Sequence, residues 1–166
     1  MKVFNVIKKI MLWVCFLGVV ISLPGCMVFE DKVLISLGEY KNSEFYTQGE
    51  FQDYTDYAKY YYDYVDFTEN EYFNKIKESD LTQINEHLDD FESWIETYRG
   101  TDPSREIVVN YDFDRTIIDC EDYIYIDSEE YATTLDDGMT ISGFTKYNIY
   151  FYDTQTQILY YFHNNI

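Results

Sequence analysis

The sequence predicts an α+β fold: two or three N-terminal helices packed on an antiparallel β-sheet that is formed mainly by the C-terminal half. Two observations lead there. Apolar residues recur at steps of three or four before Pro103, and at steps of two after it.

Each element follows from its own pattern. Val33 to Leu37 is a short apolar run and Lys41 to Glu44 a polar one, which together make a tether, a first strand, or both. Phe51, Tyr54, Ala58, Tyr61 and Val65 fall at helical spacing, with Tyr57 and Tyr64 beside them and Asp53, Asp56 and Asp63 pointing elsewhere. A further helical turn is expected around Tyr72, Phe73 and Ile76. The clearest helix starts after Ser79-Asp80, both good N-caps, with Gln83 placed for a capping box. Its stripe is Leu81, Ile84, Leu88, Phe91, Ile95 and Tyr98, while Glu86, Asp89, Asp90, Glu92 and Glu96 take the solvent face. Arg99 and Gly100 mark its end, and Pro103 forbids continuation.

Beyond Pro103, Glu106 to Phe113 and Thr116 to Ile126 read as strands. Lys146 to His163 reads as a hairpin. Tyr147, Ile149 and Phe151 alternate on one strand and Ile158, Tyr160 and Phe162 on the other, joined by Asp153-Thr154-Gln155-Thr156. The intervening Tyr150, Tyr152, Leu159 and Tyr161 are apolar too, so this sheet is covered on both faces or presents one aromatic face.

Charge narrows the function classes. The 166 residues hold 12 Lys and Arg against 31 Asp and Glu, a formal charge of −19. A phosphate backbone is bound by Lys and Arg that release its counterions, so this chain is not a nucleic-acid binder. An anionic membrane surface repels it for the same reason. Aromatic residues make up 20% of the chain, which speaks against disorder, and at 46% hydrophobic it can fill one core.

The N-terminus has the layout of a secretory leader. Lys2, Lys8 and Lys9 precede the apolar run Ile10 to Leu23, which is shorter than the ~20 residues of a membrane span and is closed by Pro24-Gly25. Leu23-Pro24-Gly25-Cys26 resembles the lipobox of bacterial lipoproteins. The resemblance implies that Cys26 receives a diacylglyceryl group and becomes the mature N-terminus. Two acyl chains hold a protein stably to a bilayer, so the expected location is the bacterial cell membrane, lipid-anchored and facing outside the cytoplasm. The expected organisation is a signal peptide over 1–25, a lipidated N-terminus and tether over 26–50, and one α+β domain over 51–166. Removing the leader takes three lysines and no acid, leaving 9 basic residues against 31 acidic ones, a charge of −22. Cys15 leaves with the leader and Cys26 carries lipid, so Cys120 has no disulfide partner. Its apolar surroundings predict a buried thiol.

One motif suggests chemistry. Asp112-Phe113-Asp114-Arg115-Thr116 is similar to the first motif of haloacid-dehalogenase-type phosphatases, which implies Asp112 as nucleophile, Asp114 as general acid and base, and bound magnesium. That family builds a doubly wound parallel sheet, whereas the 50 residues after Thr116 read as strands and turns without a crossover helix. His87 and His163 lack Cys or His at ligand spacing and read as solvated or capping residues. Asp89-Asp90, Glu129-Glu130 and Asp136-Asp137 are pairs that an acidic chain makes by composition. Tyr60-Tyr61-Tyr62 reads first as core packing and second as an aromatic platform for a sugar or cation. The sequence thus leads us to expect a non-catalytic binding module with no catalytic or metal-ligating residues and no cofactor. Its partners are the membrane, through the anchor, and a basic protein surface or divalent cations. An immunity-like or inhibitor protein against a basic extracytoplasmic enzyme is the alternative in the same class, and the Asp112/Asp114 phosphatase the alternative from another.

Overall fold

A computed structural model describes residues 31–50 and 53–165. The leader, Cys26 and the first part of the tether lie outside the described residues. In chain order the elements are α1 (Lys32–Ser36), β1 (Asn42–Glu50), β2 (Asp53–Tyr61), β3 (Asn74–Lys75), α2 (Leu81–Thr101), α3 (Glu106–Asn110), β4 (Tyr123–Thr134), β5 (Thr140–Asp153) and β6 (Ile158–Asn165). The six strands form one sheet in the order β1-β2-β6-β5-β4-β3, with every neighbouring pair antiparallel. The protein is α+β with an antiparallel sheet, as expected, but the helix that packs on it is central in the chain rather than N-terminal.

The segment around Tyr54 to Tyr61 is the main correction. It is strand β2, paired with β1 from Asn42↔Tyr61 to Glu50↔Asp53 and with β6 from Tyr54↔Asn165 to Tyr61↔Ile158. Tyrosine and threonine favour a pleated, buried surface, and β2 is buried on both sides, so its two-residue alternation is hidden. Gly49 permits the tight hairpin from β1, because a Cβ there would lie 2.1 Å from the Asp53 carbonyl oxygen. Two further elements change type. Tyr72 to Ile76 is extended and contains β3 instead of a helical turn, and Glu106 to Asn110 is the short helix α3 instead of a strand. Ile107 and Val108 of α3 turn inward while Val109 is exposed, which is helical rather than alternating burial. The expected strand from Thr116 starts only at Tyr123.

α2 forms where the stripe places it, burying Ile84, His87, Leu88, Phe91 and Ile95. No capping box with Gln83 forms. The Asp80 carboxylate accepts from the Lys77 amide at 3.0 Å across a preceding 3₁₀ turn instead. The terminal hairpin also matches its pattern. The Asp153 carboxylate accepts from the Gln155 amide (2.8 Å) and the Thr156 hydroxyl (2.6 Å), which folds the turn between β5 and β6.

Both faces of the sheet are covered. On one, Tyr57, Ile124, Tyr147, Ile149, Phe151 and Phe162 meet the α2 stripe together with Ile107 and Val108 of α3. On the other, Tyr150, Tyr152 and Leu159 meet Val33 and Leu37 of α1 and Tyr62, Val65 and Phe73 of the β2–β3 connection. Between α2 and the sheet runs a buried polar chain. Tyr98 Oη donates to Thr55 Oγ1 (2.9 Å), which donates to Asn164 Oδ1 (3.0 Å), and Tyr147 Oη donates to Asp90 (3.0 Å). Past a bulge at Glu129/Glu130, β4 and β5 continue as an exposed ribbon. No helix among the described residues is long and apolar enough to cross a membrane.

Phe91 is fully buried, against Phe162 at 5.3 Å and Tyr111 at 5.6 Å. Phe91→Ala should therefore cost about 3–5 kcal/mol, read from urea unfolding. Val109→Ala, on the exposed side of α3, should change stability by less than about 0.5 kcal/mol.

Candidate functional site

The DFDRT segment leaves α3 and touches three parts of the fold. Phe113 enters the core edge-on to Tyr160 and Phe162, each at 4.9 Å. Asp112 points toward the outer strands. Its Oδ1 accepts from Tyr57 Oη (2.8 Å) and its Oδ2 from Lys59 Nζ (2.9 Å), and Lys59 also reaches Glu44 of β1 at 3.0 Å. Arg115 points the opposite way, to α2. It holds both carboxylate oxygens of Glu92, at 2.9 and 2.8 Å, and meets Asp89 at 2.6 Å. Tyr111 Oη donates to the same Glu92 at 2.9 Å. Asp114 folds back on its own turn and accepts from the Thr116 amide (2.9 Å) and hydroxyl (2.8 Å).

The electrostatics follow from these contacts. Burial opposes charge on Lys59, but its bonds to Asp112 and Glu44 outweigh that and raise its pKa above the ordinary lysine value. Burial likewise opposes ionisation of Asp112, and the bonds from Lys59 and Tyr57 win, lowering its pKa. Tyr61 and then Lys59 hold Glu44 below the usual carboxylate range. Desolvation raises Tyr57 and Tyr111, so both phenols stay protonated as donors.

The arrangement is a clasp. Both oxygens of Asp112 are occupied, and Asp112 and Asp114 face different partners. The motif stands in a loop after a five-residue helix, beside an antiparallel sheet. The nucleophile motif that it resembles needs the end of a parallel strand.

Other residues singled out from sequence take different places. His87 is not solvated. It is fully buried, stacks on Phe144 at 4.0 Å, and donates from Nδ1 to the Gln83 carbonyl at 2.8 Å. His163 is buried too, on the opposite face, against Tyr54 at 4.8 Å, with Nδ1 donating to Asn148 Oδ1 at 2.8 Å. Burial first, and Lys146 second, lower its pKa to about 4. Its cross-strand neighbour Asp56 is raised by burial. Cys120 is exposed in a turn and not in a strand, because the buried Asp122 bonds the Asp119 and Thr154 amides and bends the chain there. Asp89 and Asp90 are divided between Arg115 and Tyr147. Tyr60 and Tyr62 pack with the outer cluster, while Tyr61 bonds Glu44 on the helix side, so the triplet is split by the strand. No group of three or more His, Cys, Asp or Glu placed to hold a metal ion occurs among the described residues.

A feature that sequence reasoning missed is a cleft of about 320 Å³ on the outer face. Tyr64, Asp66, Phe67, Tyr123, Tyr152 and Gln157 are among its lining residues. Phe67 stacks on Tyr123 at 4.0 Å with an interplanar angle of 7°, and Tyr152 stands edge-on at 5.1 Å. No sequence period marks it, because its residues come from the β2–β3 connection, β4, and the end of the terminal hairpin. Compared with known proteins, the chain matches no family model, no curated protein and no solved structure. The fold and site therefore define only a class, a small acidic α+β protein with a tyrosine-lined outer cleft.

Two outcomes test these assignments. Lys59→Met leaves Asp112 and Glu44 facing each other without a cation. Since both acids retain solvent access, the expected loss is about 1–3 kcal/mol in chemical denaturation. For His163, the unfolded chain binds more protons than the folded one between pH 6.5 and about 4. The His163 contribution should hold above pH 6.5 and fall by on the order of 2–3 kcal/mol toward pH 4. Asp56, with its raised pKa, acts in the opposite sense as pH drops. The difference between wild type and His163→Gln across this range isolates the imidazole, and a pH-independent difference would show that it does not titrate this way.

Proposed function

We propose that this chain is a lipid-anchored binding module on the outer face of a bacterial membrane. It is tethered through Cys26, recruits cationic partners with its acidic surface, and catalyses no reaction. The observation that carries this reading is the use made of DFDRT, whose acids fasten a loop and cap a turn. Other acids stand outward: Asp66, Glu69, Glu71, Glu86, Glu96, Asp136 and Asp137 are all exposed. Such a surface concentrates cations and speeds encounter with basic proteins, and the effect weakens with salt. The leader and Leu23-Pro24-Gly25-Cys26 supply the location.

Cys26→Ser should abolish palmitate labelling and either move the protein out of the membrane fraction or leave an unprocessed precursor. Unchanged labelling would remove the anchor from the proposal. Cross-linking on intact membranes at low salt should recover a basic partner that is lost at high salt.

A further inference from the structure

The outer cleft has the composition of a receptor for a small organic cation. Its aromatic wall is built from Phe67, Tyr123 and Tyr152, and Tyr64, at 74% exposed, stands at its mouth. Aromatic faces attract cations through their quadrupoles, and more strongly where water is excluded. Asp66 lines the same cleft and is held in place. Its Oδ1 accepts from the Thr68 hydroxyl (2.6 Å) and amide (2.9 Å), which leaves Oδ2 as an acceptor for a ligand. Asp66 and Thr68 also line a second, neighbouring cleft with Ser36, Glu69, Asn70 and Glu71, so negative charge continues beyond the aromatic wall.

A fourth feature points to the same place. Gln157 is the one described non-glycine residue with positive φ, at +60°. Its backbone is locked there, the amide donating to the Asp153 carbonyl (2.9 Å) and the carbonyl accepting from the Tyr62 amide (3.0 Å). Glycine or asparagine adopts such a backbone more readily than glutamine. A side chain kept at a strained position, and lining a cleft, is consistent with a contact that the cleft uses.

We infer that this cleft binds an alkylammonium group, with the positive head held against Tyr64 and the Phe67–Tyr123 stack and paired with Asp66. The volume suits a small molecule, at the lower end of the usual range. The negative field of the chain favours a cation over a neutral sugar of similar size. Hydrogen bonds from Thr68 and burial of Tyr152 keep the carboxylate ionised and the phenol neutral at physiological pH, with Tyr152 pushed up to about 12. The inference rests on the cation-recruiting reading above and gives it an address in the fold.

The test is titration of the full chain in detergent with tetramethylammonium, spermidine and neutral tert-butanol, followed by NMR of labelled tyrosine and phenylalanine rings. Saturable shifts confined to the cleft rings are expected with one or both cations and not with tert-butanol. The preferred cation tells a quaternary head from a primary amine. Asp66→Asn and Tyr64→Ala should each weaken binding about two- to fivefold. Asp136→Asn, which removes the same charge from the ribbon tip, should leave it unchanged. Equal binding of tert-butanol, equal loss in Asp136→Asn, or no saturable shift with either cation would each overturn the assignment. None of these outcomes bears on the Cys26 anchor or on low-salt partner capture, so a failed cleft leaves the wider reading open to its own tests.

Discussion

The structure depends on a sheet that is apolar on both faces and has to be covered twice. Phe151 and Phe162 face one way and Tyr150, Tyr152 and Leu159 the other, so one helix could not shield it. α2 and α3 cover the first face. The second is covered in part by α1 and by the β2–β3 connection, which carries no regular structure over most of its length. That connection is irregular because its task is to deliver Tyr62, Val65, Phe67 and Phe73 to separate points above the sheet. The outer cleft opens where this irregular cover meets the end of the terminal hairpin.

The same constraint explains how so acidic a chain stays folded. Basic residues are few, and where carboxylates meet the helix side of the sheet, four of them accept from tyrosine hydroxyls. Tyr57 serves Asp112, Tyr61 serves Glu44, Tyr111 serves Glu92 and Tyr147 serves Asp90. A tyrosine buries its ring and extends a neutral donor to the rim, which satisfies an anion without an extra cation. Lys59 and Arg115 then add charge at two places where a loop must be fixed, one at the outer strands and one at α2.

This arrangement also decides what was legible in the sequence. α2 could be read because one side faces solvent, and solvent imposes a period on Leu81 to Tyr98. The terminal hairpin could be read because Asp153 announces its turn through local hydrogen bonds. β2 could not be read. With apolar residues on both faces, Tyr54, Ala58 and Tyr61 match a helical period as well as a strand, and only the register with β1 and β6 decides between them. α3 failed for a related reason: Ile107, Val108 and Val109 are strand formers whose short helix is held by packing against the core. The ligand-like cleft and the clasp are both long-range constructions. The DFDRT spacing was visible, but its meaning lies in Lys59 and Glu92, which are distant in sequence.

The clasp and the cleft lie on opposite faces of the sheet, and that separation has a consequence for function. Asp112, Phe113 and Arg115 bind the loop to β2, the core and α2, so changing any of them changes stability first. Tyr64 and Asp66 are exposed and make few contacts that the fold needs. A site of this kind is free to alter its ligand without unfolding the protein, provided that its aromatic floor stays fixed. Tyr123 and Tyr152 meet that condition, being cross-strand partners on β4 and β5 and therefore held by the sheet itself. The cleft thus has an exposed rim at Tyr64 and Asp66 and a floor fixed by the strands beneath it.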